Sequence, residues 1–359
     1  MSAALHAEPL DRSGPVFSDI LQRLAERRDL TRAEAASALE QMVDGAVGDA
    51  QAAAFLMGLR VKGETAEEIT GLAETMRRLA VRVETSHGDR LVDIVGTGGD
   101  NLGTFNVSTT AAIVVAGLGV KVAKHGNRAA SSRCGSADVL EALGVRVDLG
   151  PREVAACLDR VGMGFMLASL YHPASGKVTG VRRALGIRTV FNFLGPLTNP
   201  AGAPRQLLGV SPPEYLEVLA GALARLGCER ALLVHGEDGM DELSVTGPST
   251  VVEVTSGRVG EPYTFDPEEC GVTRHGLADL VGGDPRENAE IIRRILGGWE
   301  GGPRDAVLLN AAAALHVAGI APSIRGGMEH ARASIDSGRA ARVLDSMVAV
   351  TNELAAGSR

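Results

Sequence analysis

The sequence predicts an α/β protein in which a small all-helical unit precedes a larger part with a mainly parallel sheet covered by helices. Three observations carry that reading. From Val16 to about Val83, apolar residues recur at three- and four-residue spacing. From about Arg90, short apolar runs alternate with helix-length segments, the pattern of strands joined by crossover helices. Apolar residues make up 45% of the 359 residues but aromatics only 3%, so the core must be built from Ala, Val, Leu and Ile.

The elements follow in order. Residues 1–14 read as a loose tail. "FSDILQRLAERRDL", "TRAEAASALEQMVDG", "DAQAAAFLMGLRVKG" and "TAEEITGLAETMRRLA" read as four helices. Two of them open on capping boxes, Thr31 with Glu34 and Thr65 with Glu68. "LVDIV" is a strand ended by glycine, "TTAAIVVAGLG" a helix, "VKVAKH" a strand and "SADVLEALG" a helix closed by Gly144. "VRVDL" reads as a strand, "PREVAACLDRVG" as a helix with Pro151 in its first turn, and "FMLA" as a strand. The alternation resumes with "QLLGV", "PPEYLEVLAGALARLG" and "ALLVHG". "STVVEVTSGRVGEPYTF" then reads as a local β excursion about the turn Ser256–Gly257. From Asp284 onward the pattern is helical, with no solenoid period anywhere.

Charge and cysteines narrow the classes of function. A formal net charge of −8 argues against a nucleic-acid backbone as the main partner, while leaving room for a local pocket for a small anion. Cys134, Cys157, Cys228 and Cys270 lie far apart without a CxxC pair, which predicts free thiols in a reducing compartment. The first residues lack the basic start and apolar run of a secretory signal, and no segment has the length of a charge-free membrane span. A cytoplasmic protein is expected.

"DIVGTGGDNLGTFNVST" places Gly96, Gly98 and Gly99 after a strand, and Asn106, Ser108 and Thr109 where a helix begins. Glycines bring main-chain N–H groups close to an anion, and the helix start adds its positive dipole end. Two commoner phosphate motifs do not fit. A P-loop needs lysine after its last glycine, where Thr104 follows Gly103. A dinucleotide fingerprint needs glycine where Asn101 stands. "KHGNRAASSRCGSAD" forms a second loop, with Lys124, Arg128 and Arg133 beside Ser131, Ser132 and Ser136. Ser136 also suits the N-cap of the next helix. Two anion-type loops predict a ligand with two separated phosphate groups. In "HGEDGMDELSVTG", Asp241 and Glu242 adjoin in a glycine-bearing loop, and a hard cation would relieve their repulsion; with phosphate nearby, magnesium is expected.

Together with "YHPA", "VRRALGIRTVFNFLGPLTNP" and "GGDPRENAEIIRRILGG…RDAVLLNAAAALHVAG", these motifs resemble the anthranilate phosphoribosyltransferase family, from about Phe17 to Leu354. The resemblance implies transfer of a phosphoribosyl group from 5-phospho-α-D-ribose 1-diphosphate to anthranilate in tryptophan biosynthesis. It also implies a homodimer, two Mg²⁺ ions and the nucleoside phosphorylase/phosphoribosyltransferase type of fold. In that fold a small helical domain (15–87 with about 174–192) is hinged to the α/β domain (90–172 with 203–355). Carried over motif by motif, Gly96, Gly99, Asp100, Thr104, Asn106, Val107, Ser108 and Thr109 would hold the diphosphate end. Lys124, His125, Gly126, Asn127, Arg128, Ala129, Ala130, Ser131, Ser132 and Ser136 would hold the rest of the donor. Ser108, Asp241 and Glu242 would bind metal. Gly96, Asn127, Arg182, His125 and His172 would line the anthranilate site, with Arg182 suited to its carboxylate. No nucleophilic side chain is expected, because positioning and electrostatics suffice.

Relative to the family pattern, Ser169 stands where proline is frequent, Ser175-Gly176 where a bulkier residue is common, and Arg133 where lysine is usual. Two other readings remain at this point: a pyrimidine-nucleoside phosphorylase-like enzyme, and a non-catalytic nucleic-acid-binding relative. His235, His275, His316 and His330 have no companions and receive no role.

Overall fold

The computed structural model describes residues 16–129 and 132–357, so the predicted tail 1–14 lies outside the described residues. Four helices come first: α1 (Phe17–Ala25), α2 (Arg32–Val43), α3 (Asp49–Lys62) and α4 (Ala66–Leu79). Both predicted capping boxes form. The Thr31 hydroxyl accepts the Glu34 N–H at 3.2 Å, and the Glu34 carboxylate accepts the Thr31 N–H at 2.9 Å. Glu68 does more than cap α4. Its buried carboxylate accepts the N–H groups of Thr65 and Leu30 at 2.8 Å and the Lys62 ammonium at 3.0 Å. One satisfied buried charge thus ties α3, α4 and the turn after α1 together.

The larger part runs β1 (Leu91–Gly96), α5 (Val107–Ala116), β2 (Lys121–Gly126), α6 (Ser136–Ala142), α7 (Pro151–Arg160) and β3 (Met163–Leu167). A long connection follows with α8 (Ala168–Tyr171), α9 (Pro173–Leu185) and α10 (Phe191–Leu197). Then come β4 (Arg205–Gly209), α11 (Leu216–Arg225), β5 (Arg230–Gly236) and β6 (Ser249–Thr255), with β7 (Arg258–Val259) and β8 (Tyr263–Phe265). The chain closes with α12 (Pro285–Leu296), α13 (Gly302–Val317), α14 (Ile324–Asp336) and α15 (Arg339–Gly357). The strand order is β3-β2-β1-β4-β5-β6-β7, with β8 also on β6; the first five are parallel and β6 to β8 antiparallel. At the β6–β7 turn Ser256 and Gly257 both take positive φ (48° and 77°), the geometry that matches strand twist in a two-residue hairpin.

Alternation along the strands divides the core. Leu207, Leu232, Val234 and Val251 face a layer that includes α5, α12, α13 and α14. Their neighbours Leu208, Leu233, Val252 and Val254 face α10, α11 and the N-terminal helices. Each such side chain contributes about 1.5–3 kcal/mol on burial. The helix α9 packs against α2, α3 and α4, so a segment from the middle of the chain joins the helical layer.

Two local expectations need correction. Residues 145–149 ("VRVDL") bury Val145, Val147 and Leu149 alternately but join no ladder, and the Arg146 N–H is taken by the Thr351 hydroxyl of α15 at 3.1 Å. A docked helix replaced the partner strand that the period-two pattern implied. The N-cap of α6 is Gly135, with Ser136 already inside the helix. The Asp138 carboxylate accepts the Gly135 N–H at 2.9 Å and does the capping instead.

Candidate active site

The chain steps outward from β1 to β2 to β3, then returns to lay β4 on the other side of β1. The strand order therefore reverses between β1 and β4, and a crevice opens at their carboxyl ends, the favoured ligand position in such sheets. Gly96 and Gly209 face each other there as paired strand ends. The glycine loop leaves from this point. Gly98, Gly99, Asn101 and Gly103 all take positive φ, between 59° and 78°. Side chains other than glycine or asparagine would strain so dense a run. The loop is pinned further on, where the Phe105 N–H donates to Leu280 O at 3.0 Å and the Gly282 N–H to Gly103 O at 2.8 Å.

The acidic loop after β5 crosses over this crevice. The Asp241 carboxylate accepts the Gly98 N–H at 2.7 Å, and Glu242 accepts the Ser108 N–H at 3.1 Å in the first turn of α5. A Cβ on Gly96 or on Gly209 would collide with Asp241, so the small residues at the two strand ends make room for the acidic loop. Burial, and then Asp100 nearby, push the Asp241 carboxyl up to about 7. Burial, and then Asp241 itself, push Glu242 up to about 8. Sunken, mutually repelling oxygen donors with the Ser108 hydroxyl beside them fit a hard divalent cation whose remaining ligands are phosphate oxygens. Among the described residues no cluster of three or more His, Cys, Asp or Glu side chains has metal-ligand geometry.

Lys124 is buried beneath the same point. Its ammonium donates to Ile94 O and lies 3.5 Å from the Ser108 hydroxyl. Burial lowers its pKa, opposed by the charges of Asp93, Glu242 and Asp241. Asp93, fully buried on β1, accepts from the Asn199 side chain at 2.7 Å and the His125 N–H at 3.2 Å. The second loop is closed on itself. Arg128 pairs with Glu141 (2.8 Å) and Asp138 (3.3 Å), and the Ala129 N–H donates to Asp138 at 2.8 Å. The Ser136 hydroxyl donates to Asn127 O at 3.2 Å, close against Gly126, and Arg133 pairs with Glu287 at 3.3 Å. Ser132 faces Cys134 O at 3.5 Å. Ala130 and Ser131 lie outside the described residues. Of the first-loop residues, Thr104 makes a β-bridge with Val281, and the Thr109 hydroxyl is buried without a partner. Val107 offers little: its side chain is in the core and its N–H donates to Phe105 O at 2.8 Å.

Of the residues expected at the anthranilate site, His125 and His172 are buried with ring centroids 5.0 Å apart. His125 Nδ1 meets Gly195 O at 3.0 Å, whereas His125 Nε2 and both His172 nitrogens lack a hydrogen-bond partner. Burial pushes His125 down to about 3 and His172 to about 4, so both rings are neutral at physiological pH. Arg182, on α9, keeps a half-buried guanidinium 5.1 Å from the Phe191 ring centroid and forms no ion pair among the described residues.

The depressed histidines give a pH prediction with a defined sign. Below the ordinary histidine pKa near 6.5 the unfolded chain binds protons that the folded chain refuses, so stability is lost as pH falls towards 4. Asp93, pushed up to about 6 by burial, acts oppositely by protonating more readily when folded. The comparison with His172→Gln isolates the ring. Between pH 6.5 and 4.5 wild type should lose stability relative to the variant by up to about 1.4 kcal/mol per pH unit. Urea unfolding at several pH values measures it, and a pH-independent difference would contradict a neutral buried His172.

Three residues hold this site and escape the sequence reading. Asn310 of α13 clamps the acidic loop, donating to Leu243 O and accepting the Leu243 N–H, both at 3.0 Å. Asn288 of α12 donates to the Asn106 side chain at 3.0 Å, and Asn106 donates to Cys134 O at 3.3 Å, which joins the two loops. Arg188 reaches the glycine loop from the segment between α9 and α10. Asparagines within amphipathic helix patterns were the one available signal for the first two.

Two family models match the chain. One described as "Glycosyl transferase family, a/b domain" covers residues 88–341, and one described as "Glycosyl transferase family, helical bundle domain" covers 18–80. The anthranilate phosphoribosyltransferase of Moorella thermoacetica is 53% identical over 336 residues, which are 94% of this chain and 98% of that protein. That of Anaeromyxobacter sp. (strain K) is 54% identical over 336 residues, 94% of this chain and 99% of the relative. The crystal structure of anthranilate phosphoribosyltransferase from Thermus thermophilus superposes with a TM-score of 0.87 at 46% identity, covering 93% of this chain and 99% of that one. The Saccharomyces cerevisiae enzyme, described in complex with PRPP and Mg, gives 0.86 at 29% identity, covering 94% and 98%. These matches favour the first of the three sequence readings, and with that identity across nearly the full length the chain belongs to the anthranilate phosphoribosyltransferase family of glycosyltransferases.

Proposed function

We propose that this enzyme transfers the 5-phosphoribosyl group of 5-phospho-α-D-ribose 1-diphosphate to the amine of anthranilate, giving N-(5-phosphoribosyl)anthranilate and diphosphate in tryptophan biosynthesis. The observation that carries it is the seating of Asp241 and Glu242 across the glycine loop and the start of α5, at the reversal point of a parallel sheet. In this reading Gly96, Gly99, Asp100, Thr104, Asn106, Ser108 and Thr109 surround the diphosphate, and the loop from Lys124 to Ser136 surrounds the 5-phosphoribose. Asn127 and Arg182 receive anthranilate beside the neutral pair His125 and His172. Ser108, Asp241 and Glu242 hold magnesium, for which we assign two ions. Bound there, magnesium would neutralise the diphosphate as it departs.

The chain's own work is positional. Loop N–H groups and the start of α5 hold a polyanion, Arg182 orients the acceptor by its carboxylate, and the uncharged histidines exclude water without competing for that carboxylate. The aromatic amine attacks as the free base, so no general base is needed. The test is stoichiometric: one diphosphate released per anthranilate consumed, with a product of the mass of phosphoribosylanthranilate. Release of diphosphate without that product would contradict the assigned acceptor.

We assign a homodimer through the helical unit, working in the cytoplasm with its four cysteines free. Met57 and Val61, one turn apart on α3, and Val16 ahead of α1 expose apolar side chains. Met57→Glu with Val61→Glu should convert the protein to monomer in light scattering, and an unchanged mass would place the contact elsewhere.

A further inference from the structure

Arg188 lies between α9 and α10, on the connection that delivers Arg182 to the acceptor side, yet its head is on the donor side. One nitrogen, Nη2, donates to Ser211 O at 2.7 Å just after β4. The other, Nη1, rests against the main chain of Gly99, where a Cβ would collide with it. Gly99 therefore serves the close approach of this guanidinium as well as the positive φ of its loop. The head lies 5.6 Å from the Phe193 ring centroid, and Phe193 stacks on Tyr215 with centroids 4.0 Å apart. Tyr215 in turn accepts from Arg60 at 2.7 Å and donates to Glu64. The guanidinium is thus fixed on a rigid aromatic base.

Its electrostatic state is incomplete. Arg188 is half-buried, forms no ion pair among the described residues, and its Nε is buried with no acceptor. Burial lowers its pKa; Asp241 opposes that, and the like charge of Arg60 adds to it. A structural arginine at such a place would normally meet a carboxylate, as Arg32 meets Glu74 and Arg205 meets Glu229. The surrounding acids, Asp241 and Asp100, belong to the edge of the metal and glycine-loop site. A cation held beside glycine-loop N–H groups and metal carboxylates, short of one acceptor, is arranged for an anion that arrives with the metal.

We propose that Arg188 binds the diphosphate end of the donor and stabilises diphosphate as the leaving group. The proposal rests on the phosphoribosyl-transfer reading above. In the step, the C1–O bond of the ribosyl donor breaks and its electron pair stays on the diphosphate oxygen. The amine lone pair of anthranilate forms the C1–N bond, and the amine proton passes to water. Arg188 remains protonated throughout and meets charge that grows as the bond breaks, so its effect is larger on the transition state than on the bound donor.

The test is calorimetric titration of inorganic diphosphate with Mg²⁺ into the full-length wild type, Arg188→Gln and Arg188→Lys, alongside steady-state kinetics and thermal melting. Arg188→Gln should weaken diphosphate binding by about 10- to 100-fold and lower kcat more than it raises the donor KM. The anthranilate KM and the melting temperature should stay near wild type. Arg188→Lys should recover part of the diphosphate affinity, because it restores the charge without the fork. Equal affinity of Arg188→Gln and wild type for diphosphate would overturn the proposal. So would a loss shared by Arg188→Gln and Arg188→Lys and accompanied by a fall in melting temperature, the mark of a structural contact to Ser211. Failure of wild type itself to bind magnesium diphosphate would contradict the phosphoribosyl reading and this inference with it.

Discussion

Replacing Asp241 by Asn and Glu242 by Gln together is expected to lower kcat/KM by about a thousandfold or more while the protein remains folded. Two sunken carboxylates repel each other and are pushed towards the protonated form, so they cost stability without a cation. The amides keep the shape, and Asn310 still clamps the loop through Leu243. Thermal stability without metal should therefore be unchanged or higher, while the response of the rate to Mg²⁺ should flatten. Rates measured across a magnesium titration, with a melt at each point, check both halves. A double variant that keeps the wild-type magnesium dependence would remove these residues from the metal site.

Arg182→Ala is expected to raise the anthranilate KM by about 10- to 100-fold and to leave the KM of the phosphoribosyl donor within about twofold. The magnitude follows from losing a charge-assisted, two-pronged contact of about 1.5–3 kcal/mol. The selectivity follows from geometry: Arg182 stands over Phe191, and the neutral His125 and His172 offer a carboxylate no replacement charge. Arg182→Lys should recover only part of the loss, since an ammonium restores charge without the planar fork. Initial rates with each substrate varied in turn provide the measurement. Equal changes in both constants would assign Arg182 to the seating of α9 on the helical layer.

The two parts of the site differ in how far they were legible. Glycine density after "LVDIV" signalled a loop of unusual backbone, and Gly98, Gly99, Asn101 and Gly103 all take positive φ there. The capping boxes at Thr31 and Thr65 were legible because a cap is made by residues three apart. Arg188, Asn288 and Asn310 were not, because each acts on a partner more than 20 residues away and looks locally like any polar residue of a helix or turn. "VRVDL" failed for the converse reason. Its pattern recorded one buried face, and the pattern does not say whether a strand or the helix α15 covers it. The division of labour along the chain was hidden too. The helical layer borrows α9 from the connection between β3 and β4, and the segment that follows α9 brings Arg188 to the crevice.

The central claim is that one crevice joins a phosphoribosyl diphosphate to anthranilate with magnesium. The most direct test mixes the protein with anthranilate, Mg²⁺ and 5-phospho-α-D-ribose 1-diphosphate and follows anthranilate fluorescence, with metal-free and donor-free controls. The account predicts a decay that requires both the donor and the metal. A folded protein that binds the donor and leaves the fluorescence constant would contradict it, and would direct attention to the acceptor side around Ser169 and Ser175-Gly176.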